Sequence, residues 1–277
     1  MRSSHSILLA ITFLVALASS QVNATDDKAA AVHLSKGMSL AEGGDLDKAI
    51  AEYRRALRIK PDYADAHNDL GLALLKKKEY DAAIEEFHEA VRLEPEDAVA
   101  HFNLAIVLRA KGDLNGAIEE YFLAVQFAPD MTEARSNLGA MLDDRGDYAG
   151  AIEQYRAVLQ KDPEQPIPHN NLGSVLFKTR QVDAAIAEFR QAIKLKPSYP
   201  IAHFNLGLAL CDKGEVDAGM VEYEEALRLN PDHAKSHYYL AKALELKGHA
   251  DEAAREYAEA QQLDPRLKPP TVILPKK

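Results

Sequence analysis

Pro61, Pro95, Pro129, Pro163, Pro197, Pro231 and Pro265 recur every 34 residues without a slip. A fixed period of that length marks a chain made by stacking one helix-turn-helix unit on itself. Length alone, 277 residues, would suggest about two domains. The period overrides that expectation and predicts one elongated all-α array with no internal linker. Its useful feature is then a surface more than an enclosed pocket. Cutting at the period gives repeats 30–63, 64–97, 98–131, 132–165, 166–199, 200–233 and 234–267.

Other columns align on the same frame. Leu70, Leu104, Leu138, Leu172, Leu206 and Leu240 hold the seventh place, each followed by Gly or Ala. The eleventh place is Leu in every repeat, from Leu40 to Leu244. Ala holds the twentieth place except at Gly219, and an aromatic follows four residues later: Tyr53, Phe87, Tyr121, Tyr155, Phe189, Tyr223 and Tyr257. These spacings predict two amphipathic helices per repeat. Small residues let the two backbones approach, and the aromatic fills the space beside them. Gly44, Gly112, Gly146, Gly214 and Gly248 are expected to end the first helix in the left-handed conformation. Asp45, Asp113 and Asp147 then suit the start of the second. Each periodic proline stops the second helix.

This pattern closely resembles the tetratricopeptide repeat (TPR) family over residues 30–267. Departures are few: His holds the usual bulky aromatic place in six repeats, Lys78 and Arg180 replace turn glycines, and Val158 replaces a small Ala. The resemblance implies a right-handed TPR superhelical solenoid of seven repeats. Its first helices would line a concave groove that binds a protein or peptide ligand.

The ends carry separate information. Arg2, the uncharged run Ile7 to Ala18 and the small residues after it read as a signal peptide within residues 1–24. Cleavage fits Ala18, Ser20 or Ala24. The run is shorter than the ~20 residues a spanning helix needs, so export to the periplasm or beyond is expected, with no membrane insertion after the leader is removed; a retained N-terminal anchor is the lesser alternative. Residues 268–277 are expected to form an extended tail, which either caps the last repeat or contacts a partner. Ala254 and Gln261 replace larger apolar residues of earlier repeats, as a terminal repeat requires.

Formal net charge is −10, and losing Arg2 with the leader makes it one more negative. An acidic chain without a Lys/Arg cluster is a poor phosphate binder, which argues against nucleic acid as a partner. The sole cysteine, Cys211, forbids an intrachain disulfide. No G-x-S-x-G, phosphate loop, G-x-G-x-x-G, H-E-x-x-H or C-x-x-C-H motif is present. No catalytic residue, cofactor or metal site is expected. Glu85-Glu86, Glu119-Glu120 and Glu224-Glu225 read as a solvated outer face.

Two columns remain. His33, His67, His101, His169, His203 and His237 are too far apart to share one metal ion, since packed helices lie ~8–10 Å apart. They read as packing residues, with a ring nitrogen able to reach a carbonyl. Asn103, Asn137, Asn171 and Asn205 recur at the sixth place, with Asp69 continuing the row. Local bonding between neighbouring turns is one reading. The other is a ladder of amides gripping a peptide backbone, similar to the asparagine ladder in the TPR superhelix of O-linked N-acetylglucosamine transferases. No glycosyltransferase domain follows here. Beside the row, Phe102, Ile106, Asn170, Phe204, Leu208 and Tyr238, with Val99, Ile167 and Ile201, would form a mixed wall suited to an extended segment. The carboxylate clamp of chaperone-binding TPR domains is not matched. A non-enzymatic adaptor is therefore the leading reading. A structural subunit of an envelope, secretion or pilus-type assembly is the alternative, and a substrate-recruiting arm of an enzyme the remote third.

Overall fold

The computed structural model describes residues 25–268, so the leader and all but the first residue of the tail lie outside the described residues. Within them the chain is helical, with no strand. The first helix, α1, covers residues 25–42. The rest alternate as first and second helices: α2 (Leu46–Ile59), α3 (Ala64–Lys76), α4 (Tyr80–Leu93), α5 (Ala98–Lys111), α6 (Leu114–Phe127), α7 (Thr132–Arg145), α8 (Tyr148–Lys161), α9 (Pro166–Lys178), α10 (Val182–Leu195), α11 (Pro200–Lys213), α12 (Val216–Leu229), α13 (Ala234–Leu246) and α14 (Ala250–Leu263). Two compact units result, one up to Ala134 and one from Arg135 onward.

The punctuation residues act as their chemistry dictates. Every second helix stops two residues before its periodic proline. Gly112 and Gly214 close α5 and α11 at φ 93° and 91°, where a side chain would be strained. At the same turn Lys78 and Arg180 adopt φ 63° and 65° without glycine's freedom. Asp113 accepts the amide of Gly116 at 3.0 Å and Asp147 that of Gly150 at 3.1 Å, capping α6 and α8.

In the N-terminal unit α2, α3, α4, α5 and α6 pack each on the next. In the C-terminal unit α8 packs on α9, and successive neighbours pack onward to α14. Each repeat buries the same set. The phenol of Tyr155 and the ring of Phe87 are almost wholly enclosed, a burial that contributes about 1.5–3 kcal/mol for a side chain of this kind. The small residue of the first helix makes room for that ring. A Cβ on Gly71 would meet Phe87 Cε1 at 2.7 Å, and one on Gly173 would meet Phe189 Cε1 at 2.7 Å. At the surface, Lys77, Lys111, Lys213 and Lys247 each pair with an aspartate of the preceding second helix: Asp47, Asp81, Asp183 and Asp217. These aspartates are highly exposed, so each pair contributes at most about 1 kcal/mol.

Candidate functional site

The first helices of each unit present the residues that sequence reasoning singled out, but not as a row of free amides. In the N-terminal unit, Asn103 on α5 is only 6% exposed, and its Nδ2 donates to Asn68 Oδ1 on α3 at 2.9 Å. One donor of the amide is thereby spent joining neighbouring first helices. Phe102 is half-buried with its ring 5.8 Å from that of Tyr121, and Ile106 is half-buried on the same helix. Val99 is 48% exposed. Asp69 forms part of a recess of about 190 Å³ with Met38, Glu42, Tyr53, Leu72 and Lys76. Burial pushes its carboxyl up to about 6, with the charge of Asp65 adding to the effect.

The C-terminal unit repeats the amide contact. Asn205 Nδ2 on α11 donates to Asn170 Oδ1 on α9 at 2.9 Å and to Ser174 Oγ at 3.3 Å. Asn170 donates in turn to Asn171 Oδ1 at 3.3 Å. Asn171, half-buried, also hydrogen-bonds the Tyr155 phenol. Asn137 on α7 is half-buried. Phe204, expected on an open wall, belongs to the interior. It is 7% exposed, with ring contacts to Tyr223, His233 and Tyr239 at 5.9, 5.0 and 5.7 Å. Asn103 and Asn205 thus tie first helices of neighbouring repeats together, a contact 35 residues apart in sequence and not one between neighbouring turns.

The most exposed of the expected wall residues in the C-terminal unit are apolar. Ile167 and Ile201, at the same place of consecutive repeats, are 55% and 50% exposed. Leu208 lines a recess of about 340 Å³ together with Phe177, Cys211, Tyr239, Lys242 and Leu246. Tyr238 stands beside it, its ring 5.5 Å from Tyr239 and 5.6 Å from Tyr257. Burial raises the Cys211 thiol above its usual value, opposed by a hydrogen bond with Tyr223, so it is a poor nucleophile. Asn68, Phe177, Tyr239 and Lys242 were missed from sequence. The last three share the concave recess only because α9, α11 and α13 pack side by side.

The histidine column has a defined task. His67 Nδ1 meets Glu86 Oε2 at 2.6 Å while Nε2 meets the Pro61 carbonyl at 3.0 Å. His101 does the same with Glu120 and Pro95, His169 with Glu188 and Pro163, His203 with Glu222 and Pro197, and His237 with Glu256 and Pro231. His33 pairs with Glu52 in the same way. Glu86 and Glu120 are therefore not a free solvated face; each leans inward to hold its imidazole. Among the described residues no three His, Cys, Asp or Glu side chains gather to hold a metal ion.

Comparison with known proteins follows this geometry. A family model described as TPR repeat matches residues 37–78, 141–179, 181–214 and 207–248, and one described as Tetratricopeptide repeat matches 68–131. No curated protein matches the sequence. Among solved structures, MamA is 29% identical at a TM-score of 0.55, covering 59% of this chain and 95% of its own. PilF of Pseudomonas aeruginosa is 22% identical, with a TM-score of 0.62 and coverages of 73% and 92%. YrrB is 23% identical at a TM-score of 0.55, with coverages of 66% and 94%. The last two likenesses concern the fold alone.

Proposed function

The chain belongs to the tetratricopeptide repeat family, and from that membership we propose that it is a non-enzymatic interaction scaffold. Its ligand is an extended peptide or protein segment laid across the first helices. The observation that carries this reading is the pair Ile167 and Ile201, half-exposed at one place of two consecutive first helices whose far ends line an apolar recess. Isolated exposed apolar residues are ordinary on any surface. A repeated apolar pair, with a recess further along the same helices, offers an extended segment successive places to sit. The carbonyl oxygen of Asn205, whose two amide donors are spent on Asn170 and Ser174, supplies a backbone contact. YrrB, a fold neighbour, is described as a TPR protein with an unusual peptide-binding site.

A second reading has its own observation. Phe122 in the N-terminal unit and Val221 in the C-terminal unit, each on a second helix, are 59% and 61% exposed, which favours docking of a structural assembly on the second helices of each unit. One experiment separates the two. Ile167→Asp with Ile201→Asp, and separately Phe122→Asp with Val221→Asp, are cross-linked in the native envelope and captured partners identified. Loss of partners with the first pair alone supports the wall; loss with the second alone overturns it. We further propose export through the leader in residues 1–24, and cell fractionation tests this by recovery outside the cytosol. No helix among the described residues is long and apolar enough to cross a membrane.

A further inference from the structure

Each full clasp ties three segments together: the turn before a repeat, its first helix and its second helix. The chemistry at the ring is restrictive. A proline carbonyl only accepts, so Nε2 must carry a hydrogen to bond it. Nδ1 then faces a carboxylate oxygen at 2.6 Å. If Nδ1 is bare, two lone pairs oppose each other and the contact fails. A proton must lie between them, and imidazole is the stronger base of the two.

We propose that the Pro–His–Glu clasp is a proton-keyed joint, closed when the imidazole holds both protons and loosened when one is lost. Five repeats carry it in full, in both compact units. The fourth repeat supplies a native control at the same two places. There Arg135 Nη1 donates to Gln154 Oε1 at 2.9 Å. A cation that does not titrate faces a neutral acceptor, so donor and acceptor roles survive while the proton switch is removed.

At His67 and His203 the surroundings favour the closed form. Glu89 on α4 adds its charge to that of Glu86 at His67, and Glu225 on α12 adds to Glu222 at His203. Burial works against the charged ring at both. The glutamate hydrogen bond, the proline carbonyl and the extra carboxylates outweigh it, and both rings are raised above the usual imidazole value. At His101 the ring also stacks on Phe127 of α6. At His237 cations share the recess: Arg228 with Glu224 on α12, and Arg255 with Glu252 and Glu256 on α14. At His33, Lys36 and Arg55 also reach Glu52, and no proline precedes the repeat.

The sign follows from the direction. A raised imidazole contributes stability that is complete below its unfolded value, about 6.5, and is lost as pH rises through the folded one. Asp69 would lose stability over a neighbouring window, so Asp69→Asn is the background for the measurement. In that protein the urea midpoint is expected to fall by on the order of 0.5 M between about pH 6 and about pH 8.5. Copying the native pair into the clasps at His67 and His203, as His67→Arg with Glu86→Gln and His203→Arg with Glu222→Gln, should abolish that fall. A midpoint flat with pH before the swap, or a fall unchanged after it, overturns the proposal. The unaltered protein gives an independent reading through a 15N-histidine NMR titration. His67 and His203 are expected to lose the Nδ1 proton at a higher pH than a free imidazole does; loss at or below that pH overturns the joint whatever the variants do.

Discussion

At the scale of single residues, exceptions in a column explain one another. Gly219 stands where every other repeat has Ala. A Cβ there would collide with Cys211 Sγ, and would approach the Gly207 carbonyl oxygen at 3.0 Å. Gly219→Ala should therefore destabilise by about 1–3 kcal/mol, although it restores the column's residue. Cys211→Ala should remove most of that cost, giving a double-mutant coupling of about 1 kcal/mol or more by urea unfolding. Additive effects would disprove the pairing. Asp69 is the corresponding exception among the asparagines. Its folded carboxyl, raised to about 6 by burial, costs nothing while protonated and destabilises as pH rises through that value. Asp69→Asn should match the parent near pH 3.5 and gain on the order of 1 kcal/mol by pH 7, after discounting for solvent screening. Equal gains at both pH values would point to packing instead of charge.

At the scale of the helix pair, the turn is where sequence was most legible, because one backbone requirement recurs in every repeat. Gly44, Gly112, Gly146, Gly214 and Gly248 all take positive φ, and Asp45, Asp113 and Asp147 all cap. Lys78 makes the same turn with a Cβ, which costs about 1 kcal/mol against glycine. Lys78→Gly should raise the thermal midpoint by a few degrees, measurable by circular dichroism. No change would mean the lysine side chain contributes what the backbone loses. Orientation within the pair was less legible. The fifth place is half-buried as Phe102 and Tyr238 yet interior as Phe204, because His233 and Tyr239 close over the last. The His–Glu joint spans 19 residues, beyond any helical spacing, and its acids looked like surface pairs. Its one signal in the sequence was the joint change to Arg135 and Gln154.

At the scale of the molecule, a stack held by neighbour contacts has a stability that depends on position. In the C-terminal unit α10 lies between α9 and α11, and buries Ala185, Ile186, Phe189 and Ala192. α14 packs on α13 and buries only Ala253, Tyr257 and Ala260, while Ala254 and Gln261 face outward. Two polar ties offset part of this loss: the His237 clasp to Glu256, and the Tyr257 hydroxyl donating to Glu245 at 3.0 Å. Hydrogen bonds of this kind contribute about 1 kcal/mol each, less than a missing apolar interface. Amide hydrogen exchange should therefore be fastest in α14, about tenfold or more above α10 under native conditions. Glu256→Gln should widen that gap while leaving α10 unchanged, since the contact it loosens, His237 to Glu256, lies within the last repeat. Uniform protection from α9 to α14 would mean that these repeats open as one cooperative block. The terminal repeat would then be stabilised by something outside its own contacts.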